Sequence, residues 1–446
     1  MEKVGILIFT EKIKERDLHK NVSFDNIKHF GFRKIISEID SQAYEVSYIS
    51  ASQINEVDFV LVSIVSYYDA YNLLYTIKDI EVKSKIIIGG AGMTNPTPYR
   101  KKIWAACWGR GEGLINKILQ GQDLPNVWYR EKDPDLQGVY QIGQLTEFLD
   151  IDSIQEGEIP THLKGIKEVH IGCRKKCYFC QYTWKNELKT DKEVIGYKSG
   201  LNDCENTIAE TDWSLNNSYF ITAIDGLTEK ARRTVNRANI TNKAIQKTFL
   251  KYFETSNQKS TTLKLYCVVG YPFEQEDDLD VSELIDNVRY AEKNCNNLSG
   301  RKLNVFLQCT HFVPMPFTPM EGEPVNLIPA RDILVRNMHK FVGQNISLTT
   351  TAYITSNVSA IEQSIINRAK AEDDDVFKIL LSKKYLSMTN YEKIRVIEQL
   401  VPKRLYGRVF GPIHNFIQNP FKIEVVKEAY YNNLKKFYDI DLWQQH

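Results

Sequence analysis

Short apolar runs of strand length alternate with stretches of helical spacing over the first hundred residues. Val4–Phe9, Tyr44–Ile49, Phe59–Ile64 and Lys85–Ile88 are the runs, and between the first two Ile27, Phe30, Phe32, Ile35, Ile36 and Ile39 recur at a helical period over Phe24–Ile39. Phe59–Ile64 and Lys85–Ile88 are apolar at nearly every position, as strands are when a parallel sheet is covered on both faces. The alternation predicts an α/β fold that opens with a doubly wound parallel sheet over residues 1–120. Any ligand of such a sheet is expected at the carboxyl ends of its strands. Ser63 stands at one such end, Gly89 and Gly90 at the next, and Gly109-Arg110-Gly111-Glu112-Gly113 follows a fifth strand. Glycines there let backbone approach a bulky ligand closely.

Periodicity fades from about Gly121, and residues 121–160 read as a linker containing the short segments Leu124–Arg130 and Leu149–Ile154. Strand and helix patterns then resume. Glu168–Ile171, Ser218–Asp225, Leu263–Val269 and Val305–Val313 read as strands, with helices over Glu229–Arg237 and Asn242–Phe253. This second alternation predicts a partial β/α barrel over residues 161–350, with its site at the carboxyl ends of the strands. Residues 351–446 are mainly helical in pattern and form the third expected domain.

Composition narrows the function. At 446 residues the chain exceeds what one core usually supports. A formal net charge of +1 excludes a globally basic nucleic-acid binder. No apolar run has the length that spans a bilayer, and Met1–Phe9 has a strand pattern and not that of a signal peptide, so a cytoplasmic protein without a membrane partner is expected. Eight cysteines, three of them clustered, fit a reducing compartment better than a disulfide framework.

Those three lie in His170-Ile171-Gly172-Cys173-Arg174-Lys175-Lys176-Cys177-Tyr178-Phe179-Cys180. The spacing C-x3-C-x2-C can bring three thiolates to one iron–sulfur cluster and leave one iron open, whereas closed structural metal sites usually have four protein ligands. Cys204 lies too far along to complete a zinc knuckle, although a zinc site remains the alternative on cysteine arithmetic. The triplet, with Phe179 before its last cysteine, resembles the radical S-adenosylmethionine (SAM) superfamily. The resemblance implies a four-iron four-sulfur (4Fe-4S) cluster on Cys173, Cys177 and Cys180, with SAM on the open iron. Reductive cleavage to methionine and a 5′-deoxyadenosyl radical would follow, fed by a one-electron reductant such as flavodoxin or ferredoxin. It also implies SAM contacts from Phe179, Val268, Gly270 and Glu274 in the G-x-P-x-E strand ending, from Asp225, and from Arg233 or Arg237 near the SAM carboxylate. The family's Gly-Gly-acid turn is missing between Cys180 and Asp225, where Glu210 or Asp212 could replace it.

The N-terminal layout resembles the cobalamin-binding domain that precedes many radical SAM barrels. It implies cobalamin against Ser63, Gly89, Gly90, Gly111 and Glu112. Asp17-Leu18-His19-Lys20-Asn21-Val22 keeps the Asp and His of the cobalt-ligating D-x-H-x-x-G motif but has Val for its Gly, so His19 is not expected to ligate cobalt. The segment Val305–Pro319, ending in Pro314-Met315-Pro316-Phe317-Thr318-Pro319, is similar to the end of the barrel in the same enzymes.

The expected function is cobalamin-dependent methylation of an unactivated carbon. The alternatives are radical rearrangement, oxidation or sulfur insertion with a vestigial N-terminal domain, and a non-catalytic metal-cluster protein that binds nucleic acid. Basic and aromatic residues interleave near the C-terminus (Lys403, Arg404 and Arg408 with Tyr385, Tyr406 and Phe410), which suits either single-stranded nucleic acid or an amphipathic helical cap. The cap is favoured, and with it a small-molecule or peptide substrate.

Overall fold

A computed structural model of the protein describes residues 1–9, 30–144, 168–190, 197–198, 219–255, 259–295, 302–337, 348–354, 356–410, 413–418, 421 and 423–442. The chain runs β1 (Glu2–Leu7), α1 (Phe30–Ser37), β2 (Tyr44–Ile49), β3 (Phe59–Ser63), α2 (Tyr67–Ile77), β4 (Lys85–Gly89), β5 (Ala105–Cys107), α3 (Ile115–Leu119) and β6 (Val127–Tyr129). These six strands form one sheet in the order β2-β1-β3-β4-β5-β6, parallel except for β6. Connections on both sides of β1 wind in opposite senses, which opens a crevice beyond the carboxyl ends of the strands. The apolar runs produce this sheet because both faces are covered. One core holds Val4, Ile6, Leu61 and Ile87 with Ile36 of α1 and Ile118 of α3. The opposite face holds Val60, Val62, Ile86 and Ile88 with Leu73 and Leu74 of α2. Val127–Tyr129, a short strand in the segment read as linker, pairs antiparallel with β5 at that edge of the sheet.

The chain continues with β7 (Tyr140–Gln141), β8 (Glu168–Ile171), α4 (Gln181–Lys185), β9 (Lys189–Thr190), β10 (Tyr197–Lys198), β11 (Tyr219–Ala223), α5 (Glu229–Thr234), α6 (Asn242–Thr255), β12 (Ser260–Val269), α7 (Ser282–Asn294), β13 (Lys302–His311), α8 (Ala330–Asn337) and β14 (Leu348–Ile354). A second parallel sheet has the order β11-β12-β13-β14, and Leu263, Leu265, Cys267, Val305, Leu307 and Cys309 meet α6 and α7 on its covered face. β8, expected to open the barrel, pairs among the described residues with β9 and β10 in a three-stranded sheet ordered β10-β8-β9. Thr207–Trp213, Cys204 and His19 lie outside the described residues.

The last elements are α9 (Asn357–Arg368), α10 (Asp374–Leu380), α11 (Lys383–Ser387), α12 (Asn390–Leu400), β15 (Ile417–Gln418) and α13 (Ile423–Tyr438). They do not pack as a domain of their own. Ile361, Ile365 and Ile366 of α9 share the core of Leu73, Leu74 and Ile88, so the helical region covers one face of the first sheet. The reason is amphipathic: helices with one apolar stripe need a second surface, and α2 presents one. Tyr430 and Leu434 of α13 pack instead with Tyr178 of the cysteine loop and Trp184 of α4. Among the described residues no helix is long and apolar enough to cross a membrane.

Candidate active site

The cysteine loop leaves β8 through Gly172, whose φ of 77° suits glycine and whose Cβ, if present, would stand 2.9 Å from the Glu187 carbonyl oxygen. Lys176 also takes a left-handed conformation, which lets the loop curl. Its backbone is then tied from several sides. Thr183 Oγ1 donates to the Cys173 carbonyl at 2.9 Å, Trp184 Nε1 to the Cys177 carbonyl at 2.8 Å, and Asn236 Nδ2 to the Lys176 carbonyl at 2.9 Å. Cys177 is buried, while Cys173 and Cys180 are half-buried.

Burial pushes the Cys177 thiol well above its ordinary range; Arg237 pulls it back, while Asp225, Cys180 and Cys173 push it further up. Burial likewise holds the Cys180 thiol up at about 11. The bare Cys177 and Cys180 thiols are therefore neutral, and the positive charge of iron is the kind of partner that ionises a thiol. Among the described residues no three His, Cys, Asp or Glu side chains converge on a single metal ion.

Several of the sequence-derived residues gather beside this loop. The Phe179 ring lies 5.8 Å from that of Tyr271, and Tyr271 donates its hydroxyl to the Asp225 carbonyl at 3.0 Å. Val268 packs with the same aromatic group, which includes Phe273 and Phe312. Asp225 has φ of 52°, a sparsely populated conformation for a non-glycine residue, and its Oδ2 stands 2.8 Å from Arg237 Nε. Arg233 is not part of this group. It lies on the exposed side of α5 and pairs with Glu229 at 2.6 Å, one turn earlier on the same helix. Gly270 has φ of 71°, and a Cβ there would run into the His311 imidazole. Glu274 is buried, and its Oε2 accepts from the amides of Gly270 at 2.7 Å and Tyr271 at 3.0 Å, closing the turn after β12. Its carboxyl turns back onto its own strand end.

The other sequence-derived residues meet in one place. A cavity of about 560 Å³ lies beyond the carboxyl ends of the first sheet, and Ser63, Gly89, Gly90, Gly111 and Glu112 all line it. Gly90, at φ of 100°, makes the turn after β4 pass close under Ile64, whose carbonyl oxygen would stand 2.5 Å from an added Cβ. Glu112 accepts from Arg110 Nη1 at 3.1 Å and from the Gly111 amide at 3.0 Å, which fixes the third turn. Leu61, Ile87, Ile88, Phe32 and Ile35 supply apolar walls. A largely apolar chamber floored by close backbone turns fits a broad ligand with hydrogen-bonding groups at its rim, and cobalamin is of that kind.

Sequence reading missed the roof. Gln181, Tyr182, Lys185 and Asn186, on or just after α4, close the cavity from the cysteine-loop side, with Met315 and Gln363 completing it. Cys180 is the residue that caps α4. The signal was present as mere adjacency: these residues follow the third cysteine by less than two turns of helix.

No protein-family model matches the chain, and no curated protein matches it. Among solved structures it is similar to the radical SAM methyltransferase TsrM from Kitasatospora setae, determined with cobalamin and a four-iron four-sulfur cluster bound. That likeness has 13% identity, covers 85% of this chain and 74% of the other, and has a TM-score of 0.26. The chain is also similar to the cobalamin-dependent SAM radical enzyme OxsB, with 10% identity, 99% of this chain and 61% of the other covered, and a TM-score of 0.26.

Proposed function

We propose that this chain is a radical SAM enzyme whose Cys173, Cys177 and Cys180 hold a four-iron four-sulfur cluster, whose N-terminal cavity holds cobalamin, and which methylates an unactivated carbon. When bound, these groups supply one-electron cleavage of SAM and a transferable methyl group. One observation carries the reading: α4 starts at the third cysteine of the loop and forms the roof of the cavity lined by Ser63, Gly89, Gly90, Gly111 and Glu112. Five helical residues advance only about 7.5 Å, so the two sites are neighbours across a single short element.

The chain's own residues have distinct tasks. Arg237, held by Asp225 beside Cys177, presents a guanidinium suited to a carboxylate. Phe179, Tyr271 and Phe312 form an aromatic wall that keeps water from the loop. Half-exposed Cys173 offers the path by which a flavodoxin or ferredoxin delivers its electron. A small-molecule or peptide substrate is favoured by the C-terminal cations, several of which are already paired: Arg404 with Asp373 at 2.7 Å and Arg408 with Glu323 at 2.8 Å. Tyr385 and Tyr406 point into the core and not outward for bases to stack on.

Anaerobic reconstitution with iron and sulfide tests the reading. Wild-type protein should gain a brown chromophore and cleave SAM, and protein produced with cobalamin should release it on cyanide extraction. Cys173→Ala, Cys177→Ala and Cys180→Ala should each abolish SAM cleavage. Cys267→Ala and Cys309→Ala, which alter the core between the second sheet and its helices, should keep the chromophore. Zinc in place of iron after reconstitution would contradict the proposal. Incubation with SAM, reductant and fractionated cell extract should yield a product heavier by one methyl group.

A further inference from the structure

Among the described residues two cations stand on the cavity wall, Arg110 and Lys185. They differ in what already holds them. Arg110 is paired with Glu112 at 3.1 Å. Lys185 is only 5% exposed, yet among the described residues its ammonium meets no carboxylate: Nζ donates to the Ala91 carbonyl at 3.1 Å and stands 5.7 Å from the centre of the Phe317 ring. An ammonium has three protons to donate, and among the described residues no acceptor is present for the other two. Lys427, the buried lysine of α13, shows the usual remedy, reaching Glu321 at 3.3 Å and Glu424 at 2.9 Å. A buried cation without such a partner is unfavourable in the bare fold, and burial alone brings the Lys185 ammonium down to about 8. Its place is also informative, since it sits in the roof of the cavity at the end of the helix that Cys180 caps.

We propose that Lys185 is a specificity-determining residue of the cavity, donating to an oxygen acceptor on the rim of the bound cobalamin. The inference rests on the cobalamin reading above. Two acceptors of that ligand share the required chemistry, the carbonyls of its ring-edge amides and the phosphate of its nucleotide tail. Ligand binding would then complete the shell of the ammonium that the fold leaves incomplete.

The test is a visible-absorption titration of full-length, cluster-reconstituted protein with hydroxocobalamin and, separately, with cobinamide, which lacks the nucleotide phosphate. Lys185→Met should weaken hydroxocobalamin binding about tenfold or more, as expected for loss of a charge-assisted hydrogen bond. Lys185→Gln, which still donates, should lose less, and the melting temperature of neither variant without cobalamin should fall. Equal losses for both ligands assign Nζ to a ring-edge amide, and a loss confined to hydroxocobalamin assigns it to the phosphate. If Lys185→Met does not fold, the comparison is read on Lys185→Gln, with a loss of about threefold expected. A folded variant with wild-type affinity overturns the inference and leaves the cavity reading standing. Wild-type protein that binds neither ligand overturns both.

Discussion

Glu274 links a local turn to a pH dependence. Burial raises its carboxyl to about 8, against the lowering effect of the Tyr271 and Gly270 amides, and its Oε1 has no hydrogen-bond partner among the described residues. In the fold the carboxyl keeps a proton that the unfolded chain releases above about 4.5. Its contribution to stability is therefore complete below that value and is lost as pH rises through about 8. Urea denaturation of wild type and Glu274→Gln at pH 5 and pH 9 should show the wild type losing ground to the variant at the higher pH. A difference that stays constant with pH would mean that Glu274 is ionised in the fold.

Tyr430 bears on how one helix supports the cysteine loop. Its ring is fully buried and packs edge-on to Tyr178, between Cys177 and Phe179, at 5.8 Å. Its hydroxyl has no hydrogen-bond partner among the described residues. Removing only that oxygen in Tyr430→Phe should leave stability unchanged or raise it by about 1 kcal/mol, because a buried unsatisfied group is lost while the ring contact stays. Tyr430→Ala removes the ring and should destabilise by about 3–5 kcal/mol. It should also loosen the loop, which repeated anaerobic buffer exchange would reveal as faster loss of the brown chromophore. If both variants retained iron equally well, α13 would have no part in holding the loop.

The C-terminal helices hold the two halves of the cavity together. Glu362 of α9 accepts from Tyr385 at 2.8 Å and also from Tyr67 at the start of α2, so one buried carboxylate joins the helical region to the first sheet. Arg368 donates to the carbonyls of Gly407, Glu321 and Glu323, which fixes the turn that follows Met315. Met315 and Gln363 both line the cavity. A chain ending at residue 355 should therefore expose Leu73, Leu74 and Ile88, scatter light as an aggregate, and fail to bind hydroxocobalamin. A soluble monomer of that length with normal binding would show that the C-terminal helices are dispensable.

Much of this was legible in the sequence where the determinants are local. Phe59–Ser63 and Lys85–Gly89 form strands because continuous apolar runs tolerate burial on both faces, and this holds whatever their neighbours are. The three cysteines could be read together because one short loop carries them all. The glycine turns after β4 and β5 could be assigned to one crevice because strand ends in a doubly wound sheet necessarily share an edge. Tertiary structure decided the rest. Spacing could not choose between Arg233 and Arg237, four residues apart near α5; packing turned Arg233 to solvent with Glu229 and brought Arg237 to Asp225 and Cys177. Nor could an amphipathic pattern reveal that α9 would cover α2, since a helical stripe specifies that some surface is needed and not which one. The sequence by itself determined the strand runs of the first sheet and of β11, β12 and β13 and, locally, the cysteine loop and the glycine turns. Their meeting across α4, with Lys185 buried in the roof, depended on contacts between segments far apart in the chain, which local pattern does not encode.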